Sequence, residues 1–181
     1  ATAKIAELSA HWQRCRELDW SSVTAVWASN VAGDWVATTV QQAVAAHNVP
    51  LHIIQAQGAQ CGVQNGYENA VQLGSDRWAM LLAARALCQD DCLVVSCGTA
   101  TTIDALNAQG EFLGGLILPG LALMRSSLQT GTAQLKHAAG SYAKFPRNTA
   151  DAMLSGALQA TLGALLQQYA ALQNNAAQVI L

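Results

Sequence analysis

The sequence predicts a single mixed α/β unit. Three observations predict it. Apolar, strand-like runs at Val23–Ser29 and Cys92–Cys97 alternate with stretches of helical periodicity. Two β-rich runs flank Asn107–Gly110 in the manner of a hairpin. Neither an internal repeat nor a Pro/Gly-rich linker divides the chain.

The elements follow in order. Lys4–Leu18 reads as an amphipathic helix, and "VTAVWAS" from Val23 as a buried strand. Asp34 caps a helix to about His47, and Leu51–Ile54 is a short strand. Gln55–Ala70 is rich in Gly and Gln without periodicity, so it reads as a loop, and its length marks it as a functional candidate. Ser75 or Asp76 opens a helix through about Gln89, with Met80, Leu81 and Ala84 as its core stripe. "CLVVSC" is a central strand, and "TTIDAL" and "EFLGGLIL" form the hairpin. Pro119-Gly120 breaks it, Leu121–Leu128 is a short helix, and Gly131–Arg147 is irregular. Asn148 or Thr149 caps a long Ala/Leu/Gln helix to about Gln173, and Val179–Leu181 begins another strand. The sequence opens inside a helix-like stretch and closes on a strand start, so this reading expects a fragment of a larger domain.

Composition narrows the function. The 181 residues are 52% hydrophobic and only 11% charged, with a net charge of -2. No Lys/Arg cluster marks a nucleic-acid surface. No apolar run reaches the ~20 residues a membrane span needs, and the first residues do not read as a secretory signal. The sparse charge leaves a surface of Ala, Gln, Asn, Ser and Thr, or one covered by a partner. Cysteines at 15, 61, 88, 92 and 97 are odd in number, so they read as small, buried, reduced thiols of a cytoplasmic protein. His11, His47, His52 and His137 have no metal-ligand spacing. Lys136, His137, Lys144 and Arg147 form a loosely basic stretch, read as a solvated loop.

Chemistry concentrates in two places. After "CLVVSC" come Gly98, Thr99, Ala100, Thr101 and Thr102. Free N–H groups and hydroxyls there suit phosphate oxygens, although on these five residues alone a tight turn into a β-branched strand is favoured. The motif is neither a Walker loop nor a dinucleotide fingerprint. Upstream, Asp76 opens a helix beside Arg77. A carboxylate there is a helix cap or a general base, and the arginine is a surface ion pair or a group that positions Asp76 or binds a carboxylate. Trp78 is a candidate pocket wall.

The ordered set "NGYENAVQLGSDRW", "SCGTATTIDAL", "GEFLGGLILPG" and "TGTAQL" resembles the type III pantothenate kinases, also described as Bvg accessory factors, over about residues 23–181. The resemblance implies an acetate-and-sugar-kinase/actin-like fold of two ribonuclease-H-like halves, here truncated at both ends. Residues 1–90 are then the remainder of the N-terminal half and 91–181 the start of the C-terminal half. It implies ATP- and Mg²⁺-dependent phosphorylation of pantothenate at its 4′-hydroxyl, the first step of coenzyme A synthesis, by a cytoplasmic homodimer. Some relatives follow a biotin–protein ligase, so such an upstream domain is compatible with it. Asp76 matches the catalytic base. Tyr67, Gly74, Ser75, Arg77 and Thr132 match the pantothenate contacts, and Gly98 and Thr99 the ATP-phosphate loop. Gly114, Gly115, Pro119 and Gly120 look like shape-setting residues, and Asp104 matches an acidic position with no assigned role.

Three departures stand out. Ser96 replaces the aspartate that the family uses for a monovalent cation, K⁺ or NH₄⁺, and a hydroxyl is the poorer ligand for one. The N-terminal Asp-x-Gly-Asn phosphate motif and the later Thr-Gly-Gly adenosine motif are absent from this sequence. The alternatives are a non-catalytic accessory module on the same scaffold, or a phosphotransferase of the same superfamily with another hydroxyl substrate.

Overall fold

The computed structural model describes residues 18–131 and 139–181. Their contacts divide the chain into two units, Ala1–Ile54 and Gln55–Leu181. The expected helix before Leu18 lies outside the described residues, apart from its last position.

The first unit is a β-α-β element. Strand β1 (Val26–Ala28) and strand β2 (Leu51–Ile53) pair in parallel, joined through helix α1 (Asp34–Ala45). Gly33, with φ of +98°, occupies the cap position, and Asp34 is the first helical residue. Asn48, at φ +55°, turns the chain out of the helix in the left-handed conformation asparagine tolerates. Two Trp–His stacks brace the unit: Trp20 on His47 at 4.1 Å, and Trp27 on its register partner His52 at 4.3 Å.

The second unit carries a six-stranded mixed sheet in the order β3-β4-β7-β6-β5-β8. Its strands are β3 (Ala59–Gln60), β4 (Val63–Asn65), β5 (Cys92–Cys97), β6 (Ala100–Leu106), β7 (Glu111–Pro119) and β8 (Gln178–Ile180). Strands β5 to β7 form an antiparallel meander, of which the β6–β7 hairpin was expected, while β4 and β8 add in parallel at either side. Between its neighbours, β5 is covered on both faces: Cys92, Leu93, Val94 and Val95 are all buried. That is why its run is continuously apolar, not alternating.

Gln55–Ala70 is not the featureless loop expected. It contains the β3–β4 hairpin, whose two turn residues, Cys61 and Gly62, both have positive φ, as a two-residue hairpin turn requires. Asn65 ties the rest of this segment together. Its amide donates to the carbonyls of Gln57 (3.1 Å) and Ala70 (3.2 Å), and its Oδ1 accepts from the Tyr67 N–H (3.1 Å).

Helices cover the two faces of the sheet. Helix α2 (Ser75–Leu87) packs on β6, burying Trp78, Leu81 and Ala84. Met80, expected in that stripe, is only half-buried. Helix α3 (Leu121–Gly131) follows β7. Helix α4 (Thr149–Ala171) sets Ala164, Leu165 and Tyr169 against Leu93, Val95, Ile103 and Ala105. Asn148 caps α4, its side chain accepting from the Asp151 N–H at 2.9 Å. Among the described residues no helix is long and apolar enough to cross a membrane.

Candidate functional site

Helix α2 begins at Gly74, which holds the cap position in extended conformation, so Ser75 and Asp76 enter the first turn. There the unpaired N–H groups and the helix dipole favour an anion. The Asp76 carboxylate is exposed, and its Oδ1 accepts the Arg77 N–H at 2.8 Å. Ser75, by contrast, is buried.

Arg77 turns inward from the same turn and is only 4% exposed. Its Nε donates to both carboxylate oxygens of Asp104, at 3.2 and 3.1 Å, and its Nη2 closes the fork on Oδ1. Its Nη1 donates to the Tyr67 hydroxyl at 2.9 Å. Tyr67 lies against Phe112, with ring centroids 5.4 Å apart. The surface ion pair considered for Arg77 is thus a buried one, and its partner is Asp104, a position left without a role on sequence grounds. One signal in the sequence marked Asp104 itself, a carboxylate within the strand-like run "TTIDAL", but none marked its partner. Buried charges of opposite sign need each other.

The electrostatics of the pair are opposed. Burial works against the Arg77 charge, but the hydrogen bonds and charge of Asp104, with help from Tyr67, outweigh it and hold the guanidinium above its ordinary value. Burial pushes the Asp104 carboxyl up; Arg77 pulls it down, and the nearby charge of Asp76 adds to the rise.

The second region is the turn between β5 and β6. Cys97 pairs with Thr101, leaving Gly98, Thr99 and Ala100 as a tight connection. Gly98 and Thr99 are exposed. The Gly98 N–H is spent on the Ala100 carbonyl at 2.9 Å, so Gly98 offers close approach and not a free donor. The end of β7 props the turn: Gly120 N–H donates to the Thr99 carbonyl at 2.9 Å. A Cβ on Gly120 would collide with the Gly98 carbonyl and sit 2.8 Å from that of Thr99. Thr101 and Thr102, read as further phosphate donors, are buried within β6. The hydroxyl of Thr102 has no hydrogen-bond partner. Ser96, half-buried on β5, is its register partner.

Other expectations resolve as follows. Trp78 does not wall a pocket; it is fully buried, and its indole N–H donates to Gln60 Oε1 at 2.9 Å. Gly115 is shape-setting in the strict sense, since a Cβ there would strike Asp104 Oδ1 and lie 2.9 Å from Arg77 Nη2. Thr132, Lys136 and His137 lie outside the described residues. Cys88 and Cys92 are buried, whereas Cys61 and Cys97 are exposed, against the expectation of small buried thiols. A cavity of about 260 Å³ opens between β7 and the end of α4, lined by Leu113, Gly114, Gly115, Leu116 and Gln168 among others, and it includes neither Asp76 nor Thr99.

The family model described as type III pantothenate kinase matches residues 2–171. The type III pantothenate kinase of Aromatoleum aromaticum is 48% identical over 141 residues, which cover 78% of this chain and 58% of that one. That of Chromobacterium violaceum is 44% identical over 165 residues, covering 91% and 66%. The chain thus spans about three-fifths of the length of these curated relatives. A crystal structure described as a Baf family transcriptional activator from Campylobacter jejuni superposes with a TM-score of 0.58 at 21% identity, over 86% of this chain and 75% of that one. That likeness is one of fold alone. On the family match and these identities, the chain belongs to the type III pantothenate kinase family.

Proposed function

We propose that this protein transfers the γ-phosphoryl group of ATP to the 4′-hydroxyl of pantothenate, the first step of coenzyme A synthesis, in the cytoplasm. The observation that carries the reading is Asp76: an exposed carboxylate in the first turn of α2, on a residue whose neighbour is anchored in the sheet. In this reading Asp76 accepts the proton of the attacking hydroxyl as the new P–O bond forms. Thr99, exposed at the β5–β6 turn, donates to phosphate oxygens, and Gly98 lets them come close. Tyr67, Gly74, Ser75 and Arg77 shape the pantothenate side, to which the family resemblance adds Thr132, and the working unit in this reading is a homodimer.

Phosphoryl transfer asks mainly for positioning and charge neutralisation. Mg²⁺ bound to the nucleotide supplies the second. Among the described residues no three His, Cys, Asp or Glu side chains gather as a ligand set. The chemistry fits, because Mg²⁺ commonly keeps its waters and is held largely by substrate phosphates. The scaffold in this reading is the acetate-and-sugar-kinase/actin type, with residues up to about 90 in one half and 91–181 in the other. Ser96 stands at the family's cation position, so no monovalent-cation ligand is assigned.

The test uses the full-length protein, with ATP, pantothenate and Mg²⁺, in the presence and absence of K⁺ or NH₄⁺. Phosphopantothenate is expected from the wild type. Asp76→Asn, still folded, is expected to lose kcat by about 10²–10⁴-fold, the range of a lost general base. A folded wild type with no turnover under any cation condition would move the assignment to a non-catalytic module.

A further inference from the structure

Strand β6 alternates between two environments. Ile103 and Ala105 face the core beneath α4. Asp104, between them, turns the other way and has no exposed surface. Everything around it is arranged to receive one guanidinium. Arg77 Nε and Nη2 take its two oxygens, and its register partner on β7 is Gly115, where a Cβ would occupy the same space. An ion pair this deep is seldom retained for stability, since desolvation offsets much of the attraction.

What the pair accomplishes is visible on its third side. With Nε and Nη2 committed, Nη1 is the arm that reaches Tyr67. A guanidinium only donates, so the Tyr67 oxygen accepts there, and the phenol hydrogen is turned away from Arg77. The Tyr67 ring is held in place by Phe112 and by the guanidinium, whose carbon lies 5.6 Å from the Tyr67 centroid and 5.8 Å from that of Phe112. Tyr67 remains half-open to solvent. It therefore presents an oriented O–H donor at the surface of a rigid network. The same Arg77 gives its backbone N–H to Asp76.

We propose that Asp104 is a positioning residue of the pantothenate site: by clamping Arg77 it fixes Tyr67 as a hydrogen-bond donor to an acceptor oxygen of the substrate, carboxylate or amide carbonyl. The inference rests on the pantothenate reading and adds to it a residue that touches no substrate.

The experiment compares KM and kcat of the full-length wild type with Tyr67→Phe, Arg77→Lys, Asp104→Asn and the Tyr67→Phe/Asp104→Asn double variant. Arg77→Lys keeps a cation beside Asp104 but removes the arm that reaches Tyr67. Losing one oriented hydrogen bond corresponds to about a tenfold rise in KM for pantothenate, expected in every single variant, with KM for ATP within about twofold. The double variant is expected to be no worse than Asp104→Asn alone, because both changes silence the same donor. If Asp104→Asn does not fold, Asp104→Glu, which keeps the charge but displaces the clamp on Arg77, takes its place and is expected to show the same rise in KM for pantothenate. Wild-type KM for pantothenate in folded Arg77→Lys overturns it. So do multiplicative effects in the double variant, or losses of melting temperature and kcat with both KM values intact. A wild type without pantothenate turnover overturns the kinase reading itself, and is told apart from these outcomes because no variant is needed to see it.

Discussion

Cys92 opens β5 with no exposed surface, and burial pushes its thiol from the ordinary 9.0 to about 11, with Cys88 and Asp91 adding to the rise and Arg85 opposing it. The sign follows from linkage: the folded state disfavours the thiolate, so this contribution to stability is intact below pH 9 and is lost as pH rises toward 11. Denaturant midpoints measured across that window are expected to fall in the wild type and to fall less in Cys92→Ala. Sequence reasoning placed Cys88 and Cys92 correctly as buried thiols, because both flank or begin an apolar run. It misplaced Cys61 and Cys97, which end up in a hairpin turn and at a strand end. The place of Asp76 at a helix start was legible because helix-start chemistry is local. The partner of Asp104 was not: it lies 27 residues away, and residue spacing does not reveal which buried cation meets which buried anion.

At the scale of elements, the long helices and the β6–β7 hairpin were readable from period and turn residues. The β3–β4 hairpin was not, since strands of two and three residues carry too little alternation to register against a polar, Gln-rich background. The β5–β6 turn illustrates a different gap. Its composition suggested free backbone donors, but hydrogen bonding inside the turn had already used one of them. Support from Gly120 makes the turn's shape depend on a residue of another strand. Gly120→Ala is expected to destabilise the protein by about 1–3 kcal/mol through overpacking. On the proposed kinase reading, it is also expected in the full-length protein to raise KM for ATP more than KM for pantothenate. Chemical denaturation and steady-state kinetics check the two parts.

Across the whole second unit, one residue joins distant segments, by its carboxylate and its backbone carbonyl. Asp91 Oδ1 accepts from Ala108 N–H (2.7 Å) in the β6–β7 connection, Oδ2 accepts from the Asn174 amide (2.8 Å), and its carbonyl accepts from Gln178 N–H (3.0 Å) at the start of β8. Asp91→Ala is expected to cost about 2–3 kcal/mol, as two hydrogen bonds to one charged group are lost together. Amide exchange is expected to quicken in β8 before it does in β6. The strand order itself was beyond the sequence, because parallel neighbours are set by long-range closure and not by local pattern. That closure also has a consequence in time. Asn174 follows Asp91 by 83 residues, and β8 comes later still. A ribosome therefore releases the apolar strand β5 well before the strand that covers its outer edge exists. Until β8 has emerged, the nascent chain displays an unpaired Cys92–Val94 edge, the kind of surface that recruits trigger-type chaperones or seeds aggregation. For this fold, the rate of translation through α4 sets how long that exposure lasts.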